Sequence, residues 1–171
     1  MAGKGYSDIR RPIYGNLERY VRAAHTVSKK YMALPETITF ELPFFFSHNR
    51  WKQFNLFHFH DISSAISPLT LLMLSRLRPT VWTLHDCSPF TGGCLYPIGC
   101  ERYKTGCGSC PQKGEWPIDT PADFSRLWHG LKHGVHTAGR ITLVTPSHWM
   151  ADMAMASGMI RERPTVIPNG V

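Results

Sequence analysis

Two histidine–aspartate pairs are the residues best suited to chemistry in this sequence, and each follows a predicted β-strand. His60 and Asp61 follow the aromatic stretch 55–59, whereas His85 and Asp86 follow the β-branched stretch 80–84. Histidine titrates near neutral pH, so it can act as a base, donate a hydrogen bond to a substrate hydroxyl or bind a metal. A loop histidine satisfied by backbone carbonyls is the structural alternative for His85.

The first pair is preceded by a further histidine at a spacing of two. Because strand side chains alternate between faces, His58 and His60 are predicted to share one face, with Phe57 and Phe59 on the other. If the two strands are parallel neighbours, both histidine–aspartate pairs reach the same edge of the sheet, where open parallel sheets place their ligand crevices. A purely structural role for the His-Phe-His unit is the alternative.

Four cysteines form a second candidate unit. Cys94, Cys100, Cys107 and Cys110 follow the pattern C-x5-C-x6-C-x2-C among several glycines. Four thiolates at such spacing can close a tetrahedral structural zinc site, which would hold the loop rather than catalyse. Two disulfides or free thiols are the alternatives, and a reducing compartment disfavours disulfides. Cys87 is predicted to be a separate buried thiol.

The elements that must position these residues alternate between helix and strand, which predicts an α/β fold: a Rossmann-like parallel sheet flanked by helices, with a cysteine-rich loop insertion. Ser67 with Pro68, and Ser147, are predicted to begin helices. The methionines after Ser147 are predicted to pack in the core. The predicted helices cover residues 16–32, 69–77, 122–135 and a stretch from Ser147 to Gly158; the predicted strands cover 37–42, 55–59, 80–84, 141–145 and 165–167.

Composition limits the classes of function. The 171 residues are 43% hydrophobic, which predicts one globular domain, and the net charge is +7. The basic residues form no long stripe, so no nucleic-acid partner is expected, although the charge suits phosphorylated or lipid-linked substrates and peripheral association with an anionic membrane. The sequence shows no secretory signal and its longest apolar run, residues 69–74, is too short to span a bilayer, so a cytoplasmic location is expected.

Several stretches together resemble a known family: VWTLHDCSPFTGGC, GCERYKTGCGSCPQ, TPSHWMADMA and VIPNGV. Over residues 54–171 the chain looks like the amino-terminal half of the retaining glycosyltransferases of family 4, which have the GT-B architecture. In that family two Rossmann-like domains face a cleft; the first binds the acceptor and the second binds the nucleotide-sugar donor.

The resemblance implies roles for individual residues. His85 would be the active-site histidine near the transferred sugar, and His60 would match the histidine at the end of the neighbouring strand. The loop of residues 86–93, with Asp86, Thr91, Gly92 and Gly93, would face the acceptor. Ser147, at a helix N-terminus that could meet a phosphate or hydroxyl, is a further candidate with a plain cap as its alternative. Asn169 and Gly170 would begin the interdomain linker.

The chain also departs from the family pattern. No opening strand with a glycine-rich loop is found before Asn16, and no second domain is present. We therefore expect a lead-in over residues 1–15, an incomplete amino-terminal glycosyltransferase domain over 16–167 and the start of a linker over 168–171. The expected function is the acceptor-side fragment of a hexosyl-type transferase, acting on a saccharide or lipid-linked acceptor and inactive by itself. The alternative is a small zinc-stabilised binding module without enzymatic activity.

Overall fold

A parallel four-stranded sheet organises the computed structural model, which describes residues 14–32, 39–47, 50–62 and 66–170. The strands lie in the order β1-β2-β3-β4. Phe59 of β1 pairs with Trp82 of β2, and Thr83 of β2 pairs with Val144 of β3. The predicted parallel α/β fold is confirmed. The strand bounds are Phe57–Phe59 (β1), Thr80–Thr83 (β2), Ile141–Thr145 (β3) and Thr165–Val166 (β4).

Helices connect successive strands, as parallel pairing requires. The described helices are Glu18–Met32 (α1), Leu42–Ser47 (α2), Pro68–Leu77 (α3), Ser125–Ala138 (α4) and His148–Ala156 (α5). Both predicted caps are confirmed, because the Ser67 hydroxyl accepts the Leu69 N–H and the Ser147 hydroxyl accepts the Met150 N–H, each at 3.2 Å. A cap of this kind stabilises a helix by about 1 kcal/mol.

The core lies between the sheet and its helices. Phe57 and Phe59 are buried, whereas His58 and His60 are exposed on the other face of β1, as the alternation predicted. Met150 and Met159 are buried, which agrees with a core role for the methionine-rich segment. The principal cluster also includes Leu71, Leu74, Trp82, Leu84, Phe90 and Tyr103.

The predicted strand at residues 37–42 is wrong where the structure describes it. Residues 37 and 38 lie outside the described residues, residues 40 and 41 form a turn, and Leu42 begins α2. The Glu41 carbonyl accepts the N–H groups of Phe44 and Phe45 at 3.0 and 3.1 Å. Pro43 lies in the first helical turn, where its missing N–H is harmless. The aromatic run after Pro43 therefore belongs to a short helix.

The amphipathic helix near the amino terminus is confirmed, with a 3-10 turn at Gly15–Leu17 before α1. The apolar residues that predicted it are not all buried: Leu17, Tyr20 and Val27 are each about half exposed. Residues 1–13 of the predicted lead-in lie outside the described residues, as does Pro35, the predicted stop of this helix. Within the described part of the chain, every helix is too short or too polar to span a membrane.

Gly92 provides a test of how the loop after β2 packs on α4. An added Cβ would lie 2.6 Å from the Ser125 Cβ and 2.5 Å from the Ser125 carbonyl oxygen. We expect Gly92→Ala to lower the free energy of unfolding by about 1–3 kcal/mol, measured by urea denaturation, because overpacking forces the backbones apart. Gly130→Ala, where an added Cβ meets no atom within 4 Å, is the control and should be neutral or stabilising. Equal stability of the two variants would contradict this packing.

Candidate functional site at the carboxyl edge of the sheet

Two imidazoles meet at the carboxyl edge of the sheet. The His60 Nδ1 lies 2.9 Å from the His85 Nε2, and the two rings are inclined by only 22°. Both side chains are exposed. The structure therefore brings the two sequence-predicted histidines into one hydrogen-bonded pair that faces solvent, at the edge where parallel sheets bind ligands.

Contacts between β1 and β2 hold the histidines at the end of β1. The Trp82 indole Nε1–H donates to the His60 carbonyl at 2.9 Å, which ties the end of β1 to β2. On the face of β1 that carries the histidines, the His58 Nε2 lies 2.9 Å from the Thr83 hydroxyl, and the centroids of the His58 and His60 rings are 4.3 Å apart. His58 thus extends the pair into a row of three imidazoles.

The environment of this row favours the uncharged form of His60 by lowering its pKa. Burial lowers the pKa of His60 below its usual value of 6.5, and the neighbouring His58 and His85 lower it further because like charges repel. A neutral imidazole has one donor and one acceptor nitrogen, so it can complete a directional hydrogen bond with His85.

The loop after β2 is built largely by its own polar groups. The Asp86 Oδ1 accepts the Ser88 N–H at 2.7 Å and thereby shapes a 3-10 turn over Ser88–Phe90. The Thr91 side chain is fully buried, and its hydroxyl donates to the Cys94 carbonyl at 2.8 Å. Gly92 is buried against α4, and Gly93 has a φ of +126°. These four predicted acceptor-side residues thus lie on the loop of the site, and Thr91 and Gly92 act inside it as packing positions.

Helix α4 supplies donors that sequence reasoning did not identify. Lys132 Nζ donates to the carbonyls of Ser88 at 2.7 Å and Thr91 at 3.3 Å, and the His136 Nε2–H donates to the Pro89 carbonyl at 3.0 Å. One turn earlier, the His129 Nε2–H donates to the Tyr103 carbonyl at 2.8 Å. These three residues are spaced by three and four positions and therefore lie on one face of α4. That spacing is the sequence pattern from which they could have been predicted. This donor stripe of His129, Lys132 and His136 therefore anchors the segment between β2 and α4.

Burial keeps the histidines of the donor stripe neutral. Burial lowers the pKa of His136 to about 4 and also lowers the pKa of His129, while the hydrogen bonds to backbone carbonyls oppose the shift. The His136 ring also stacks on the Trp82 ring, with 5.6 Å between centroids. The imidazole therefore links α4, β2 and the loop after β2.

The four clustered cysteines line one cavity beside this loop, together with Tyr103 and Ile118. Burial raises the pKa of Cys94 and of Cys110, and it raises that of Cys107 to about 11. Among the described residues, no three histidine, cysteine, aspartate or glutamate side chains already stand in a metal-holding arrangement. Cys87 is fully buried, as predicted for a separate buried thiol, and burial raises its pKa to about 12.

The remaining predicted residues occupy other positions. Ser147 caps α5, the helix that follows β3, and so lies at the carboxyl edge of the sheet. Asn169 and Gly170 are exposed beyond β4. The structure gathers His60, His85 and the loop of residues 86–93 at one edge, whereas Asn169 and Gly170 follow β4.

The parallel sheet and its flanking helices define an α/β protein with polar side chains at the carboxyl edge, where open α/β sheets bind their ligands. The family described as Glycosyltransferase Family 4 matches residues 8–171. Because the match covers nearly the whole sequence, the chain belongs to this family. The membership supports a glycosyltransferase role and does not favour the zinc-stabilised binding module, and the sheet is consistent with one half of a GT-B architecture.

A curated relative agrees with this assignment. The Escherichia coli (strain K12) protein named "Putative colanic acid biosynthesis glycosyl transferase WcaC" is 37% identical over 97 residues. The alignment covers 53% of this chain and 23% of that protein, so the chain spans less than a quarter of the relative. No solved structure matches the chain significantly.

The lowered pKa of His136 predicts a loss of stability in acid. Between an unfolded pKa near 6.5 and the folded value of about 4, the unfolded chain binds one more proton, so the free energy of unfolding falls as pH falls. The contribution is up to about 1 kcal/mol per pH unit. We expect His136→Gln, which retains an N–H donor but does not titrate, to flatten this dependence in urea denaturation between pH 7 and pH 4.5.

His133→Gln is the matched control, because His133 is exposed on the same helix. It should keep the wild-type dependence of stability on pH. Identical slopes for wild type and His136→Gln would contradict the role assigned to His136.

Proposed function

We propose that the protein transfers a sugar from a nucleotide-sugar to a hydroxyl of a saccharide or lipid-linked acceptor, with retention of anomeric configuration. In this reaction the bond between the anomeric carbon and the phosphate oxygen breaks and the nucleotide leaves. A bond from that carbon to the acceptor oxygen forms, and the proton of the acceptor hydroxyl passes to the departing phosphate oxygen. The observation that carries the proposal is the exposed His60–His85 pair at the carboxyl edge of the sheet in a family 4 chain.

His85 is proposed as the residue that contacts the transferred sugar. Its Nε2 is engaged with His60, so Nδ1 is the ring nitrogen left for a substrate hydroxyl. Its exposed position at the sheet edge supports this contact. A hydrogen bond aimed at the reacting sugar stabilises the transition state by orientation and charge, effects that typically contribute factors of about 10² or more to rate.

His60 is proposed as a positioning residue. A single hydrogen is shared between its Nδ1 and the His85 Nε2, so one nitrogen donates and the other accepts. The bond holds the His85 ring in one orientation and fixes its tautomer, as partner groups do for histidines in many sites. The lowered pKa of His60 supports this role, because it favours the neutral imidazole.

The loop of residues 86–93 is proposed to face the acceptor, with the donor bound by a further domain of the complete protein.

The relative is named for colanic acid biosynthesis, so we propose polysaccharide synthesis as the process served. Cytoplasmic action at an anionic membrane surface is part of the proposal, since the net charge of +7 favours such a surface. Anomeric analysis of the product by NMR tests retention.

Replacement of His85 tests the central proposal. We expect His85→Ala in the complete protein to lower kcat by about 10²-fold or more, because a contact made to the reacting sugar is lost. The measurement is nucleoside diphosphate release over a panel of UDP-sugars and GDP-sugars with saccharide acceptors. His133→Ala, which removes an exposed imidazole from α4, should retain wild-type turnover and melting temperature. Full turnover by His85→Ala would refute its role.

Replacement of His60 separates positioning from chemistry. We expect His60→Ala to lower kcat about tenfold, the equivalent of one hydrogen bond worth about 1.4 kcal/mol, and to change the pH profile of kcat. His60→Asn places an amide near the position of Nδ1 and should restore part of the rate. A structural role alone would leave the pH profile unchanged and would show as a lower melting temperature instead.

A further inference from the structure

The cysteine lobe, residues 94–110, contains a feature that the proposed transferase chemistry does not use. Cys94, Cys100, Cys107 and Cys110 line a single cavity of about 20 Å³. A space of this size accommodates about one water-sized occupant. The cavity walls between the thiols are mostly apolar, formed by side chains such as Ile118 and Pro111.

The backbone around these thiols is held in an unfavourable conformation. Cys107 and Ser109 have φ values of +56° and +49°, and the intervening Gly108 has a φ of +93°. A second left-handed turn, at Ile98 with φ +46° and Gly99 with φ +77°, precedes Cys100. Each non-glycine residue in this region costs about 1 kcal/mol or more and persists only where the surroundings fix it.

Polar contacts brace the C-x2-C turn from outside. Arg102 Nη1 donates to the carbonyls of Gly108 at 3.0 Å and Ser109 at 2.8 Å. The Cys110 N–H donates to the Asp123 Oδ2 at 2.6 Å, and the Gly108 N–H donates to the Ser125 hydroxyl at 3.0 Å. These contacts position the backbone of Cys107 and Cys110 at the wall of the cavity.

A few polar contacts partly oppose the burial that raises the pKa of these thiols. The Gly92 N–H donates to the Cys107 Sγ at 3.2 Å, a contact that strengthens when the sulfur is a thiolate. The Arg102 side chain lines the cavity, and the ammonium of Lys132 acts electrostatically on Cys94. Two cations near four thiolates offset part of the charge of a metal–thiolate centre.

We propose that Cys94, Cys100, Cys107 and Cys110 bind one Zn²⁺ in a closed tetrahedral site that locks the cysteine lobe. Binding releases the thiol protons and involves no redox change; each sulfur would approach the ion to about 2.3 Å. No three of these side chains among the described residues already form such a set, so the thiols must rotate inward on binding. Four protein ligands leave no open coordination position, which makes the role structural.

Metal analysis of the wild-type protein is the first test. We expect about one zinc per chain after purification without chelator, and cobalt substitution should give the absorption of a tetrahedral thiolate complex. Thiol titration of the denatured, zinc-free protein should find all five cysteines reduced. Absence of zinc with no cobalt uptake, or loss of four thiols to disulfides, would overturn the proposal.

Matched variants locate the site. Cys110→Ser and Cys100→Ser should each lower the zinc content well below one per chain, whereas Cys87→Ala should keep it, because Cys87 is buried outside this cavity. Retention of a full zinc by both serine variants would overturn the assignment. If a serine variant fails to fold, cobalt titration of the wild-type protein still decides the question. This outcome is independent of the His85 experiment, because one test measures the zinc content of cysteine variants and the other measures the turnover of a histidine variant.

Discussion

Parallel pairing of β1 with β2 is the constraint on which the candidate site depends. Pairing of Phe59 with Trp82 brings the ends of the two strands to the same edge, and the Trp82 indole then binds the His60 carbonyl. Only this arrangement lets a side chain 25 residues before His85 reach its imidazole. The buried phenylalanines of β1 fix which face its histidines occupy, because a register slip of one residue would expose the phenylalanines.

Helix α4 provides the second level of support. A loop that must present a precise surface has to satisfy its own carbonyl groups, and here Lys132 and His136 supply donors from a neighbouring helix. The imidazole of His136 serves three elements at once, because it stacks on Trp82 and binds the carbonyl of Pro89. Rigid support of this kind is what functional loops require of their scaffold.

Family membership and local geometry address different parts of the function. The match over residues 8–171 places the chain among the glycosyltransferases of family 4. The geometry adds a specific pair of imidazoles and a braced cysteine lobe, neither of which follows from a family name. The imidazole pair is exposed at the sheet edge, whereas the cysteine lobe, which begins nine residues after His85, surrounds a largely apolar cavity.

The sequence by itself determined the helix–strand alternation, the caps at Ser67 and Ser147, and the faces of β1, because these follow from local periodicity and side-chain chemistry. The strand predicted from the sequence was wrong at residues 39–42. The apolar, β-branched pattern there is typical of a strand, but the described part of the chain offers no neighbouring strand to pair with it. Only the tertiary structure decided that His60 touches His85 and that α4 donates to the loop. Such contacts join residues distant in sequence, and hydrogen bonds between them depend on distances that no local pattern encodes.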